Sequence, residues 1–230
     1  FALYEYNYYF DTWHTFDRIV LIILGFLSIR HPFFIIFFLI QSICISKQFG
    51  FPDSFYYSYT DKKIIFDVLL IFWLFYCTKL YFKNLNWNYV IVITLSILCN
   101  WYLMAGLGKL ELNWIQTNES FNLYSSAQAF GWLNKLPANT TQYLGELITH
   151  NNIFINTCVI MIEVLLPIII LFNRKLTKGI LLVFIFFHIS VFCISGIFFW
   201  KWIILELILF FSIAVNKINL TRTKYLFVYL

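Results

Sequence analysis

Charge is what this 230-residue chain has least of. Acidic and basic residues together make up 12% of it and apolar residues 61%, against about 25% charged residues in an ordinary soluble domain. Several apolar runs approach the roughly 20 residues that a bilayer-crossing helix needs. A soluble domain is thereby excluded, and the chain reads as an integral membrane protein. Glycine and proline are scarce, at eight and four residues, and neither a Gly/Ser-rich linker nor an internal repeat is visible. The five cysteines, Cys44, Cys77, Cys99, Cys158 and Cys193, stand singly in apolar segments. Without a C-x-x-C pair they read as small buried hydrophobes, and neither a thiol redox motif nor a metal site is expected. There is no P-loop, no G-x-G-x-x-G, no H-E-x-x-H and no G-x-S-x-G, so nucleotide, zinc-protease and serine-hydrolase chemistry have no support. No charged n-region with a cleavage site follows Phe1, and no signal peptide is expected.

What remains predicts one class: an all-α, polytopic transmembrane helical bundle, a single domain over residues 1–230 with about five to seven crossings. Apolar residues 19–46 form two helical pieces broken at Arg30-His31-Pro32, because proline removes a helix donor and restrains the residue before it. A hairpin and a tilted pair both fit. Residues 64–82, 87–108, 153–172 and 179–200 each have the length of a crossing. A shorter last helix over 202–215 is expected to begin near Gly196, with the aromatic cluster 198–202 at the interface.

Basic loops set the expected orientation, since Lys and Arg favour the cytoplasmic side. Arg174, Lys175 and Lys178 share one loop, and Lys217, Arg222 and Lys224 a tail without acids. Both are placed in the cytoplasm, C-terminus included, which leaves the segment Lys109 to Asn152 extracytoplasmic. Lys62 and Lys63 then fall outside against the rule, beside Asp53 and Asp61. These loop and tail cations account for much of the net charge of +5, so no nucleic-acid partner is implied; the lipid bilayer is the partner that composition demands. Within the outer segment, Phe121, Leu123, Tyr124, Ala127, Phe130 and Leu133 make a broadly helical apolar pattern closed by Pro137, which predicts an interfacial helix over the bundle.

Ionisable groups within apolar helices are expensive and become candidates for function. Lys109 lies at the outer end of its helix. A lysine in a partly dry site can serve as a general base, and Gly106 and Gly108 would let a backbone or a flat ligand approach it. The alternative is an amine that snorkels to the interface. Glu163 precedes Pro167 by four residues, so its carbonyl loses a helical donor and the turn is expected to be irregular. It reads either as a protonated acid satisfying neighbouring helices or as a relay or counter-ion for His188 or Lys109. His188, apolar on both sides, is a packing element or a base. Glu206 reads as an acid shared with a neighbouring helix or placed near the inner interface, and His14, Asp17 and Arg18 as an interfacial cluster.

Three runs, AGLGKLELNW at 105–114, IEVLLP at 162–167 and FFHISVFCISGIFFW at 186–200, resemble in order and spacing the HTTM family. This is the horizontally transferred transmembrane domain shared by vitamin K-dependent gamma-glutamyl carboxylase and many bacterial proteins. The resemblance covers residues 101–209. It implies that Lys109 matches the carboxylase lysine that acts as base with reduced vitamin K, whose oxygenation drives glutamate carboxylation. It also matches His188 to a late-helix histidine and makes a quinone the implied cofactor. Gly108 departs from the pattern, where the family has a further lysine. The carboxylase continues into a large lumenal region that this sequence does not carry, so the chain looks like the short bacterial members, including a type associated with maturation of a secreted peptide toxin. The resemblance implies a carboxylase- or epoxidase-like modification or maturation factor. It would act on a secreted peptide or membrane-protein partner on the extracytoplasmic side, with Lys109 as base and Glu163 and His188 tuning it. The alternative is a non-catalytic accessory subunit of a larger membrane complex. A transporter has less support, because no second broken helix is seen.

Overall fold

The computed structural model describes the backbone over residues 14–48 and 56–215, and side chains over 19–42, 64–173 and 175–213. The side chains of His14, Asp17, Arg18, Asp53, Asp61, Lys62 and Lys63 and the tail beyond Val215 lie outside the described residues. Every regular element among the described residues is helical: α1 (His14–Arg30), α2 (Ile35–Gln48), α3 (Tyr56–Tyr81), α4 (Asn88–Glu111), α5 (Glu119–Ala129), α6 (Ala138–His150), α7 (Asn152–Ile160), α8 (Leu166–Phe172), α9 (Thr177–Ser195) and α10 (Trp200–Val215). A π turn, Met161–Leu165, joins α7 to α8 without a break. The protein is an all-α, multi-pass membrane helix assembly. Among the described residues, four helices are long and apolar enough to cross: Ile64–Tyr81, Asn88–Glu111, Asn152–Phe172 and Thr177–Ser195. Shorter apolar helices at Ile19–Arg30 and Pro32–Ser42 add to them.

The helices form two compact units, Phe1–Val90 and Ile91–Leu230. In the first, α1 stops at Arg30 and Pro32–Phe34 forms a 3-10 turn, as a proline two residues past a helix end favours. α1 and α2 pack on each other around this break, which makes the pair a hairpin. The turn is fastened to α3 by the Trp73 indole, which donates to the Phe33 carbonyl at 3.2 Å, and by the His31 ring against Tyr76. Beyond α3, Trp87 folds back onto Phe72 and Phe75, with Lys79 over its ring.

In the second unit each long helix buries one stripe at three- and four-residue spacing. On α4 it is Leu95, Leu98, Cys99, Tyr102 and Gly106; along α7–α8 it is Asn152, Asn156, Ile160, Glu163, Pro167 and Ile170. On α9 the stripe runs from Thr177 through Leu181 and Phe184 to His188. The remaining faces expose large apolar side chains such as Phe154, Met161, Phe186 and Ile189, as a lipid-facing surface does.

The stretch between α4 and α7 covers the ends of these helices. α5 packs on α6, α7 and α9 around a small core of Tyr124, Leu133 and Ile148, and the Tyr124 hydroxyl donates to the Thr141 carbonyl. The apolar pattern expected here is α5; α6 follows Pro137 instead of ending at it, since proline is accepted at a helix start. α9 ends at Ser195 rather than running to Trp200, because Gly196 takes the left-handed conformation at φ +74°, the usual helix stop. A Cβ on Gly196 would also stand 2.8 Å from Cδ2 of Trp132. Gly196→Ala is therefore expected to lower stability by roughly 1–3 kcal/mol. Gly179→Ala, in α9 with no atom within 4 Å of its Cβ position, should be neutral or gain up to about 1 kcal/mol. Thermal unfolding of both variants in one detergent checks the contrast.

Candidate functional site

Lys109 stands in the last turn of α4 and Glu163 in the π turn. The amine of Lys109 donates to both carboxylate oxygens of Glu163, with side-chain exposures of 22% and 7%. Neither charge is left alone at a depth where isolation is costly. The pairing depends on a close helix approach at Gly106: a Cβ there would lie 2.5 Å from Cγ2 of Val164 and 3.0 Å from Cβ of Glu163. Gly108 faces open space instead, with nothing within 4 Å, so of the two glycines only Gly106 serves the approach. The π turn follows from Pro167, which has no N–H to give; the Leu166 N–H reaches back five residues to the Met161 carbonyl.

Trp114 completes this end of the site. Its ring lies 5.4 Å from Lys109 Nζ, within cation–π range. The ring rides on a 3-10 turn, Trp114–Gln116, entered through Asn113 at φ 56°. Asn156, with no exposed surface, holds the turn by donating to the carbonyls of Trp114 and Thr117, both at 2.8 Å. Its own oxygen accepts from the Ser120 hydroxyl, and Asn152 adds a second donor to Thr117 at 2.6 Å. Among the described residues, two buried polar atoms have no partner, Trp114 Nε1 and Asn152 Oδ1.

His188 belongs to a second cluster, with Tyr102 of α4 and Glu206 of α10. The Tyr102 hydroxyl donates to Glu206 Oε1 at 2.6 Å and lies 3.2 Å from His188 Nδ1. His188 Nδ1 is also 3.1 Å from Glu206 Oε1. Glu206 has no exposed surface and Tyr102 and His188 very little. Phe184 stacks on Tyr102 at 3.9 Å, and Trp202 and Phe199 lie against His188. Such enclosure leaves the carboxyl group dependent on these two partners, because an unsatisfied acid in an apolar interior is strongly disfavoured.

Lys109 and Glu163 thus meet directly, whereas His188 bonds to Tyr102 and Glu206 instead. The two clusters are joined through α4, whose Tyr102, Gly106 and Lys109 follow one face at spacings of four and three. Glu206 is shared with α4 and α9, the first of the two placements its sequence left open. Tyr102 escaped sequence reasoning: one tyrosine among 15 carries no signal, and only its spacing from Gly106 and Lys109 hinted at a common face. A separate shallow groove of about 660 Å³ between α5 and α6, lined by Tyr124, Gln128, Gly145 and Glu146 among others, includes none of these residues.

Comparison of the chain with protein-family models, with curated proteins and with solved structures gives no match.

Gly106→Ala is expected to cost roughly 1–3 kcal/mol through overpacking, while Gly108→Ala stays within about 0.5 kcal/mol; equal thermal shifts would contradict the close approach. Tyr102→Phe deletes the donor to Glu206 and should cost roughly 1–3 kcal/mol, read in the same assay.

Proposed function

We propose that this is an HTTM-like, membrane-embedded modification or maturation factor, working at the end of the bundle where Lys109 lies. The observation that carries the reading is the Lys109–Glu163 pair, a half-buried amine whose protons face both oxygens of a single carboxyl group. Once one such proton moves onto Glu163, the neutral amine can take a proton from a substrate group beside it. Glu163 then acts as the proton's temporary holder and Lys109 as the base. Tyr102, His188 and Glu206 set the electrostatic surroundings. The basic-loop reading puts this end, with residues 109–152, on the extracytoplasmic side, where the substrate is a secreted peptide or a membrane-protein partner.

A quinone, the cofactor that the resemblance implies, is compatible with the donors present. Its carbonyl oxygens are acceptors, and Trp114 Nε1 is a buried donor without a partner beside the Lys109 amine. Trp114 and Lys109 would hold it, and when bound it would supply a redox-active ring with ionisable hydroxyls.

A non-catalytic accessory subunit is the second reading. It is favoured by the enclosure of Tyr102, His188 and Glu206, whose mutual bonds and aromatic casing also suit a purely architectural cluster. Purification separates the two: a protein active alone removes the accessory reading, and one isolated only with partners supports it.

Lys109→Arg, which keeps a cation beside Glu163 but cannot give up its proton, is expected to abolish modification of the extracytoplasmic substrate while the variant accumulates in the membrane at wild-type level. Mass spectrometry of exported peptides, alongside quantitation of the membrane fraction, reads both. Equal amounts of modified peptide from variant and wild type would refute Lys109 as base.

A further inference from the structure

We infer that the loop between α5 and α6 is a bilayer-binding surface, with Phe130 and Trp132 set into the lipid interface beside the end of α9. The inference does not depend on the chemistry of Lys109. Depth is the first argument. α9 has 19 residues, about 28 Å at 1.5 Å per residue, close to the roughly 30 Å of hydrocarbon it has to cross. Its last residue, Ser195, therefore stands at the membrane boundary, with Cys193 about 3 Å inside it. The Trp132 indole donates to the Cys193 carbonyl at 3.2 Å, one of the last carbonyls that a helix end leaves unpaired. Its ring also packs on Phe192 and against Gly196. The loop is thus fixed at interfacial depth, where tryptophan with one polar and one apolar side is favoured.

Continuity is the second argument. Phe130 is 90% exposed, and with Trp132, Ile194, Ile197, Phe198 and Trp200, each more than 40% exposed, it gives the loop and the α9–α10 junction an apolar surface. That surface continues the lipid-facing side of α9, where Phe186 and Ile189 are exposed. A lone exposed phenylalanine in a soluble protein needs no explanation. One held at the depth of the interface and next to a lipid-facing helix has the bilayer as its cover. Lys135, exposed in the same loop, supplies a cation at headgroup level.

The test places the photoreactive residue p-benzoyl-phenylalanine at position 130, and in a second protein at position 142. Each protein is reconstituted into phosphatidylcholine/phosphatidylglycerol vesicles and irradiated, and intact mass is measured. Gln142 is exposed on α6 and bonded to Glu146. Phospholipid adducts are expected at 130 and not at 142. Adducts at 130 only with protein, including a second copy of this chain, or no adduct there, overturn the inference, as do equal lipid adducts at both sites. Phe130→Asp in the same vesicles supplies an independent readout. Amides of residues 130–136 are expected to exchange hydrogen about tenfold faster or more, because the apolar anchor is lost; unchanged exchange overturns the assignment.

Discussion

A charged group inside a membrane needs a partner, and much of the second unit is arranged around meeting that requirement for Lys109 and Glu163. Their contact brings α4 and the π turn so close that a Cβ at position 106 would have to displace Val164 and press on Glu163, so Gly106 eases the approach the pair needs. The same approach brings the 3-10 turn after α4 over the amine, and Asn156 fixes that turn by filling two of its carbonyls. Satisfying one ion pair thus sets a helix crossing, a loop conformation and the position of an aromatic ring.

Deeper along α4, Tyr102 repeats the solution with different chemistry. Glu206 takes a hydroxyl and an imidazole as partners, and rings rather than solvent surround all three. The Lys109–Glu163 pair keeps some access to its surroundings through the lysine, whereas the inner cluster has almost none. The difference follows from place: Lys109 lies in the last turn of its helix, whereas Tyr102, His188 and Glu206 each lie within theirs.

The fold was legible wherever one residue type forces a local outcome. Pro32 broke the first apolar region where expected, Pro167 distorted the turn of Glu163, and the crossing helices followed the apolar runs to within a few residues. Legibility failed where the deciding contact is remote. Gly196 ends α9 through a backbone conformation that an unbroken apolar sequence conceals. Pro137 opens a helix as readily as it closes one, so α6 went unseen. In the site, Lys109, Glu163, His188 and Glu206 stood out because charge is rare in such helices. Which of them would meet was not readable: the pairings join residues 54, 86 and 104 positions apart, and Tyr102 looked like any other aromatic.

The π turn reaches beyond Glu163. Such a turn holds one residue more than the α-helical turn it replaces, so the side chains after it are rotated by about 100°, the angular step of one residue, from where an unbroken helix would carry them. The N–H that Pro167 lacks thereby decides which face α8 turns toward its neighbours as well as how the turn of Glu163 is bonded.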